Sequence, residues 1–120
     1  MKIAITANGK DLSSDIDPRF GRAPYFIVVD PESMAWQPIE NTQNLSLPQG
    51  AGIQAGKTVI ETGATVLITG YCGPKAFKVL TKCGIRIITG VKGRVMDAVS
   101  QYNNGALESS KEANVEGHWV

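Results

Sequence analysis

The chain has 120 residues, 42% of them hydrophobic, with 12 basic and 11 acidic side chains and a formal charge of +1. This is the size of one domain whose apolar core suffices without a disulfide or structural metal, and the near-balanced charge argues against a general nucleic-acid binder. No apolar run suits a signal peptide or a bilayer span, so the expected location is cytoplasmic, where Cys72 and Cys83 stay thiols.

In chain order, "KIAIT" (2–6) predicts a first strand, ended by the turn signal Asn8-Gly9. "YFIVVD" (25–30) predicts a second. "WQPIE" (36–40) predicts a weaker third, placed at a sheet edge or bulge by Pro38. With no helix between them, these three form an antiparallel meander. "GIQAGKTVIETG" (52–63) then sets Ile53, Gly56, Val59 and Ile60 on one helical face. "TVLITG" (65–70) and "IRIITG" (85–90) are apolar runs of strand length. Between them "PKAFKVLTKCG" (74–84) opens with Pro and closes with Gly, with Ala76, Phe77, Leu80 and Cys83 inward. "GRVMDAVSQYNNG" (93–105) predicts a last helix through Val95, Ala98, Val99 and Tyr102.

Strand–helix alternation in the second half demands right-handed crossovers and parallel pairing. The expected fold is therefore α/β and ribonuclease H-like, a mixed five-stranded sheet with three helices in the order β-β-β-α-β-α-β-α. Residues 1–105 form the domain, and 106–120 are expected to be an irregular tail that docks through Trp119.

In such sheets ligands bind beyond the carboxyl ends of the parallel strands. Three junctions there are built alike, namely "PQGAGI" (48–53), "TGYCGP" (69–74) and "TGVKGR" (89–94). Each carries two glycines and delivers a helix N-terminus with unpaired N–H groups, so the three together make a cradle for an anion. Taken singly, each is also an ordinary tight turn. No phosphate-binding fingerprint is present.

Arg19 and Arg22, in "RFGRAPYF" (19–26), either face that anion or pair with Asp15 and Asp17 just upstream. The segment between Glu61 and Asp97 holds no acidic residue but six basic ones, Lys75, Lys78, Lys82, Arg86, Lys92 and Arg94. They make either a solvated face or an electropositive rim.

Cys72, just before the Pro74 helix, is placed where a thiolate is favoured and a soft metal could be bound. It stands evenly between ligand and bystander. Cys83, about 15 Å away along the helix, is expected to be a small core hydrophobe. His118 becomes a second soft ligand only if the tail folds over the loops. The strands carry no clustered carboxylates, no triad can form around one tail histidine, and there is no CxxC. A binding protein is favoured over an enzyme.

"RFGRAPYFIVVD", "GAGIQAG", "ITGYCGPKAFKVLTKCGIRIITG" and "NVEGHW" resemble the dinitrogenase iron–molybdenum cofactor biosynthesis family, the NifX-like and NifB-C-terminal-like small domains. The resemblance covers nearly the whole chain. It implies a ribonuclease H-like fold without nuclease activity. It also implies binding, carriage or assembly of an anionic metal–sulfur cluster, an iron–molybdenum precursor or a molybdenum–copper sulfide. Cluster donor or acceptor proteins are the implied partners.

On this reading the cluster lies among Gly50, Ala51, Gly52, Gly70, Tyr71, Cys72, Gly73, Lys92 and Gly93. Arg19 and Arg22 are counter-charges, Phe20 is a wedge under the turn, and Cys72 and His118 are candidate metal ligands. One departure is Arg19, where many relatives carry His, so a ligand is exchanged for a charge. The alternative from another class is a regulatory or scaffold domain binding a partner protein through Lys75, Lys78 and Lys82. An enzyme acting on a small phosphorylated compound ranks last, for want of a general base.

Overall fold

The computed structural model describes residues 1–42 and 50–114, so Pro48 and Gln49 of the first glycine loop, and His118 and Trp119, lie outside the described residues. The sequence-predicted order holds: β1 (Ile3–Ala7), β2 (Tyr25–Val29), β3 (Trp36–Glu40), α1 (Ala51–Glu61), β4 (Val66–Ile68), α2 (Pro74–Lys82), β5 (Arg86–Ile88) and α3 (Val95–Asn103). The sheet runs β3-β2-β1-β4-β5, the ribonuclease H-like arrangement.

β1, β2 and β3 pair antiparallel, with Ile5 opposite Ile27 and Ile27 opposite Pro38. β1 then pairs parallel with β4, and β4 with β5, through Ile5, Ile68 and Ile88. Pro38 sits on an edge strand whose side chains are largely exposed, where a missing N–H disturbs least.

β1 is central and buried along its whole length, so it reads as a continuous apolar run rather than an alternating one. Its side chains serve two cores. On one face Ala4, Phe26, Val28 and Leu67 pack with Ala55 and Val59 of α1 and Ala76, Phe77 and Leu80 of α2. On the other, Ile3, Ile5, Ile27, Val29 and Ile68 pack with Val95, Ala98 and Val99 of α3. α1 meets α2 at Gly56, which lies against Val79 and Leu80.

α2 is shorter than its sequence pattern, and this changes the fate of Cys83. The helix ends at Lys82, Cys83 becomes its cap, and Gly84 turns left-handed at φ +79°. The Ile85 N–H then closes back on Leu80 O at 3.1 Å. The reversal swings Cys83 off the apolar stripe and brings Ile85 into the core instead. Cys83 is exposed, contrary to the core role expected for it.

Parallel pairing fixes where the helices begin. Each of α1, α2 and α3 follows a strand that ends at the same sheet edge, so all three N-termini lie along that edge.

Candidate functional site

The turn "RFGRAP" is held from three sides. Phe20 is its anchor, with no exposed surface and its ring centroid 5.6 Å from that of Phe26. The sequence reading makes it a wedge under the turn, and its side chain is buried there. Beside it, the 18–20 segment pairs with the 70–72 loop like a short strand: Tyr71 N–H donates to Pro18 O at 2.6 Å and Phe20 N–H to Tyr71 O at 3.1 Å. From the end of β3, the buried Asn41 side chain donates to Ala23 O at 2.8 Å.

Asp17 does not form the ion pair considered for Arg19; its Oδ1 accepts the Arg19 backbone N–H at 2.9 Å. That turn sends the Arg19 side chain outward, where it is exposed and has no ion-pair partner among the described residues. Arg22 is half-buried.

Gly70 has a structural cause of its own. A Cβ there would lie 2.7 Å from Pro18 O and 2.8 Å from Pro18 Cα, so only glycine admits the close approach of the two loops. Its carbonyl in turn accepts the Gly90 N–H at 2.8 Å, which ties the second glycine loop to the third. Beneath them, Thr6 Oγ1 donates to Asp17 O at 2.7 Å and lies 3.0 Å from Thr69 Oγ1. The 14–22, 69–73 and 89–94 segments therefore form one bonded platform. Gly50, Ala51 and Gly52 share its sheet edge through α1, but no hydrogen bond joins them to it among the described residues.

The three helix N-termini are not equivalent. None has a side-chain cap. At α3, however, the chain itself supplies acceptors: Val95 N–H donates to Ser14 O at 3.0 Å and Met96 N–H to Leu12 O at 2.9 Å. Asp11, whose carboxylate takes both the hydroxyl and the amide of Ser13, shapes that 11–14 turn, and these bonds hold it below the usual carboxylate range.

At α2 the position is the reverse. Gly73 is the N-cap, Pro74 has no N–H, and the amides of Gly73, Lys75 and Ala76 have no acceptor among the described residues. The first turns of α1 and α2 contain no acidic residue, whereas that of α3 contains Asp97. Free donors and unneutralised helix charge thus belong to α1 and α2. Lys92 and Gly93 are exposed, and Lys92 lines a cleft of about 450 Å³ with Thr89, Gln101 and Glu108.

Cys72, for which ligand and bystander stood even, does not lie in the polar surroundings that favour a thiolate. It is fully buried in the α1–α2 core with Phe20 and Phe26, and its Sγ lies 3.8 Å from Gly73 O. Burial pushes its thiol up to about 12. The sequence placed it at a helix N-terminus, but apolar neighbours outweigh the dipole. Among the described residues no three His, Cys, Asp or Glu side chains come together to hold a metal.

Sequence reasoning missed Asn41 and Asn114. Asn114 accepts the Cys72 N–H at 2.8 Å and donates to Gly70 O at 2.9 Å. Single asparagines in irregular segments carry no periodic signal; the only hint was that Asn114 opens "NVEGHW".

Comparison with known proteins agrees with this architecture. The apo orange protein of Desulfovibrio gigas superposes with a TM-score of 0.92 at 41% identity, over 95% of this chain and 96% of that one. The solution structure of a candidate NifB protein from Thermotoga gives 0.82 at 34% identity, over 97% and 98%. An uncharacterized protein of Methanocaldococcus jannaschii is 28% identical over 111 residues, 90% of each chain. The profile described as dinitrogenase iron–molybdenum cofactor matches residues 1–105. The chain belongs to the dinitrogenase iron–molybdenum cofactor family.

Proposed function

We propose that this protein binds and carries an anionic metal–sulfur cluster, an iron–molybdenum cofactor precursor or a molybdenum–copper sulfide, and that it does so without catalysis. The observation that carries this reading is the α2 N-terminus, where the Gly73, Lys75 and Ala76 amides lack acceptors among the described residues, and where the backbone of the exposed Arg19 bridges to Tyr71, two residues ahead of Gly73. A sulfide-rich anion is held well by N–H donors, helix charge and guanidinium groups, and needs few protein ligands.

Arg19 and Arg22 supply counter-charge, the Gly50–Gly52 turn and the Lys92–Gly93 loop flank the anion, and Tyr71 covers it. Cys72 is a candidate ligand only once its surroundings open. His118 stays a candidate second ligand, and cluster donor and acceptor proteins are the partners this role requires.

The test is anaerobic incubation with tetrathiomolybdate, with and without copper, followed by gel filtration and elemental analysis. Stoichiometric molybdenum that co-elutes with new visible bands supports the reading. Complete loss of metal and colour under every condition would overturn it. Arg19→Ala is expected to weaken retention several-fold while leaving the thermal midpoint unchanged, because its side chain makes no ion pair among the described residues.

A second reading has its own observation: α2 buries Ala76, Phe77 and Leu80 and presents Lys75, Lys78 and Lys82 outward. That stripe fits an acidic partner protein. Reversing the three charges would abolish such docking without altering metal content.

A further inference from the structure

Residues 106–114, beyond α3, are irregular but bonded to the sheet edge. They run along β5, the parallel edge of the sheet: Ser110 N–H donates to Ile87 O at 2.6 Å, and Ser110 Oγ accepts the Thr89 N–H at 3.1 Å. Arg86 Nε donates to Ser109 Oγ at 3.0 Å. Leu107 packs on the α3-side core and Ala113 on the α1–α2 core. The run therefore crosses the platform edge from one face of the sheet to the other. It docks through Ser110, Ala113 and Asn114, while the docking through Trp119 expected from the sequence lies outside the described residues.

Asn114 ends the crossing on the 70–72 loop. Besides its two side-chain bonds to the Cys72 N–H and Gly70 O, its own N–H donates to Cys72 O at 3.3 Å. An asparagine side chain here stands in for a peptide group, and the loop is paired as if by a strand. Two features accompany this pairing. The Cys72 amide, the donor just ahead of Gly73, Lys75 and Ala76, is taken by a neutral acceptor. The Cys72 side chain, in the same core as Ala113, keeps no exposed surface. The bonds are few and Asn114 itself is exposed, which is the profile of a segment that opens locally without global unfolding.

We propose that residues 106–114 are a releasable latch over the anion site, closed by Asn114 and opened when an anion takes the Cys72 amide, uncovering the thiol. This rests on the reading of the α2 N-terminus as the anion site, but closure is measurable without any ligand. An anion and the Asn114 carbonyl compete for one donor, so each weakens the other by the same factor.

Alkylation of the folded, ligand-free chain by iodoacetamide, followed peptide by peptide, tests closure. Exposed Cys83 reports the reagent and Cys72 reports the latch. Asn114→Ala is expected to raise the Cys72 rate on the order of tenfold, the scale of a pair of lost hydrogen bonds. The Cys83 rate and the amide-exchange protection of β1 and β4 should stay unchanged. Ser110→Ala, which loosens the strap at its β5 end, should do the same more weakly and stands in if the first variant folds poorly.

Tetrathiomolybdate should then bind Asn114→Ala several-fold more tightly than the parent. Unchanged Cys72 alkylation in both variants would overturn the latch. Faster alkylation with weaker tetrathiomolybdate binding would also overturn it, because the strap would then be supporting the site. If no chain binds tetrathiomolybdate while the alkylation contrast holds, the anion reading falls. Ligand-driven release falls with it, and Asn114 is then a structural clamp.

Discussion

The loops "TGYCGP" and "TGVKGR" are close to interchangeable as sequence, yet they meet different fates. Both leave a parallel strand, both carry two glycines, and both open a helix without a side-chain cap. The second delivers α3 onto the carbonyls of Leu12 and Ser14, so its first amides are already paired. The first delivers α2 with Pro74 at its head and three amides left without acceptors among the described residues. Whether a helix N-terminus is a binding feature is thus decided by what a distant loop brings to it. Here the β1–β2 connection caps one helix with its 12–14 carbonyls and sets a cationic turn beside the other.

Breaking each approach separately should show the difference. Phe20 anchors the segment that pairs with Tyr71, and Ile16 anchors the one that receives α3, its N–H donating to Gly93 O at 2.8 Å. Phe20→Ala should lower unfolding free energy by about 3–5 kcal/mol and abolish cluster retention. Ile16→Ala should cost about 2–4 kcal/mol and, at temperatures where it is folded, leave retention intact. Denaturant melts and metal analysis of the two variants check this. Equal loss of retention would make the two approaches parts of one site.

The glycines sharpen the same contrast with smaller effects. Gly70→Ala forces a Cβ into the Pro18 backbone and should cost about 1–3 kcal/mol or more. Gly93 needs its φ of +101°, but a Cβ there meets nothing within 4 Å, so Gly93→Ala should cost about 1–2 kcal/mol. If the order of melting midpoints is reversed, the close approach of the 18 and 70 loops is not what makes glycine necessary.

Cys72 gives the α2 side a pH signature. The ordinary thiol value is 9.0, and burial pushes Cys72 up to about 12. Between those values the unfolded chain releases a proton that the native chain keeps. Its contribution is therefore intact below about pH 9 and declines as pH climbs through 12, by about 1.4 kcal/mol per pH unit at most. Cys72→Ala should flatten that alkaline decline in denaturant melts at pH 8 to 11. An unchanged slope would mean that the thiol is solvated in the native state.

The order of the elements and the inward faces of the helices were legible because apolar periodicity reports burial directly, and Pro38 pointed to its own edge. The platform was half legible: "RFGRAPYF" marked the turn and Phe20 its wedge. What could not be read were contacts joining segments far apart in the chain through single polar groups or main-chain atoms. Asn41 to Ala23, Asn114 to Cys72 and Gly70 against Pro18 are of this kind. Cys83 shows how the error arises. Local spacing placed it inside, whereas the turn at Gly84 swings it out.

The smallest test acts on helix charge alone. Lys75 lies in the first turn of α2 and Asp97 in that of α3, so one N-terminus has a cation where the other has an anion. A carboxylate there is stabilising and a cation destabilising, by about 0.3–1 kcal/mol at an exposed position. Lys75→Glu should therefore raise stability by that amount while weakening tetrathiomolybdate binding, since the new carboxylate competes for the charge the anion needs. Asp97→Lys should lower stability similarly and leave binding alone, because the amides at α3 already face Leu12 and Ser14. Stability and affinity moving in opposite directions at α2 only is the signature of an N-terminus kept open for a ligand. A Lys75→Glu protein that gains stability and binds as before would place the anion elsewhere on the platform.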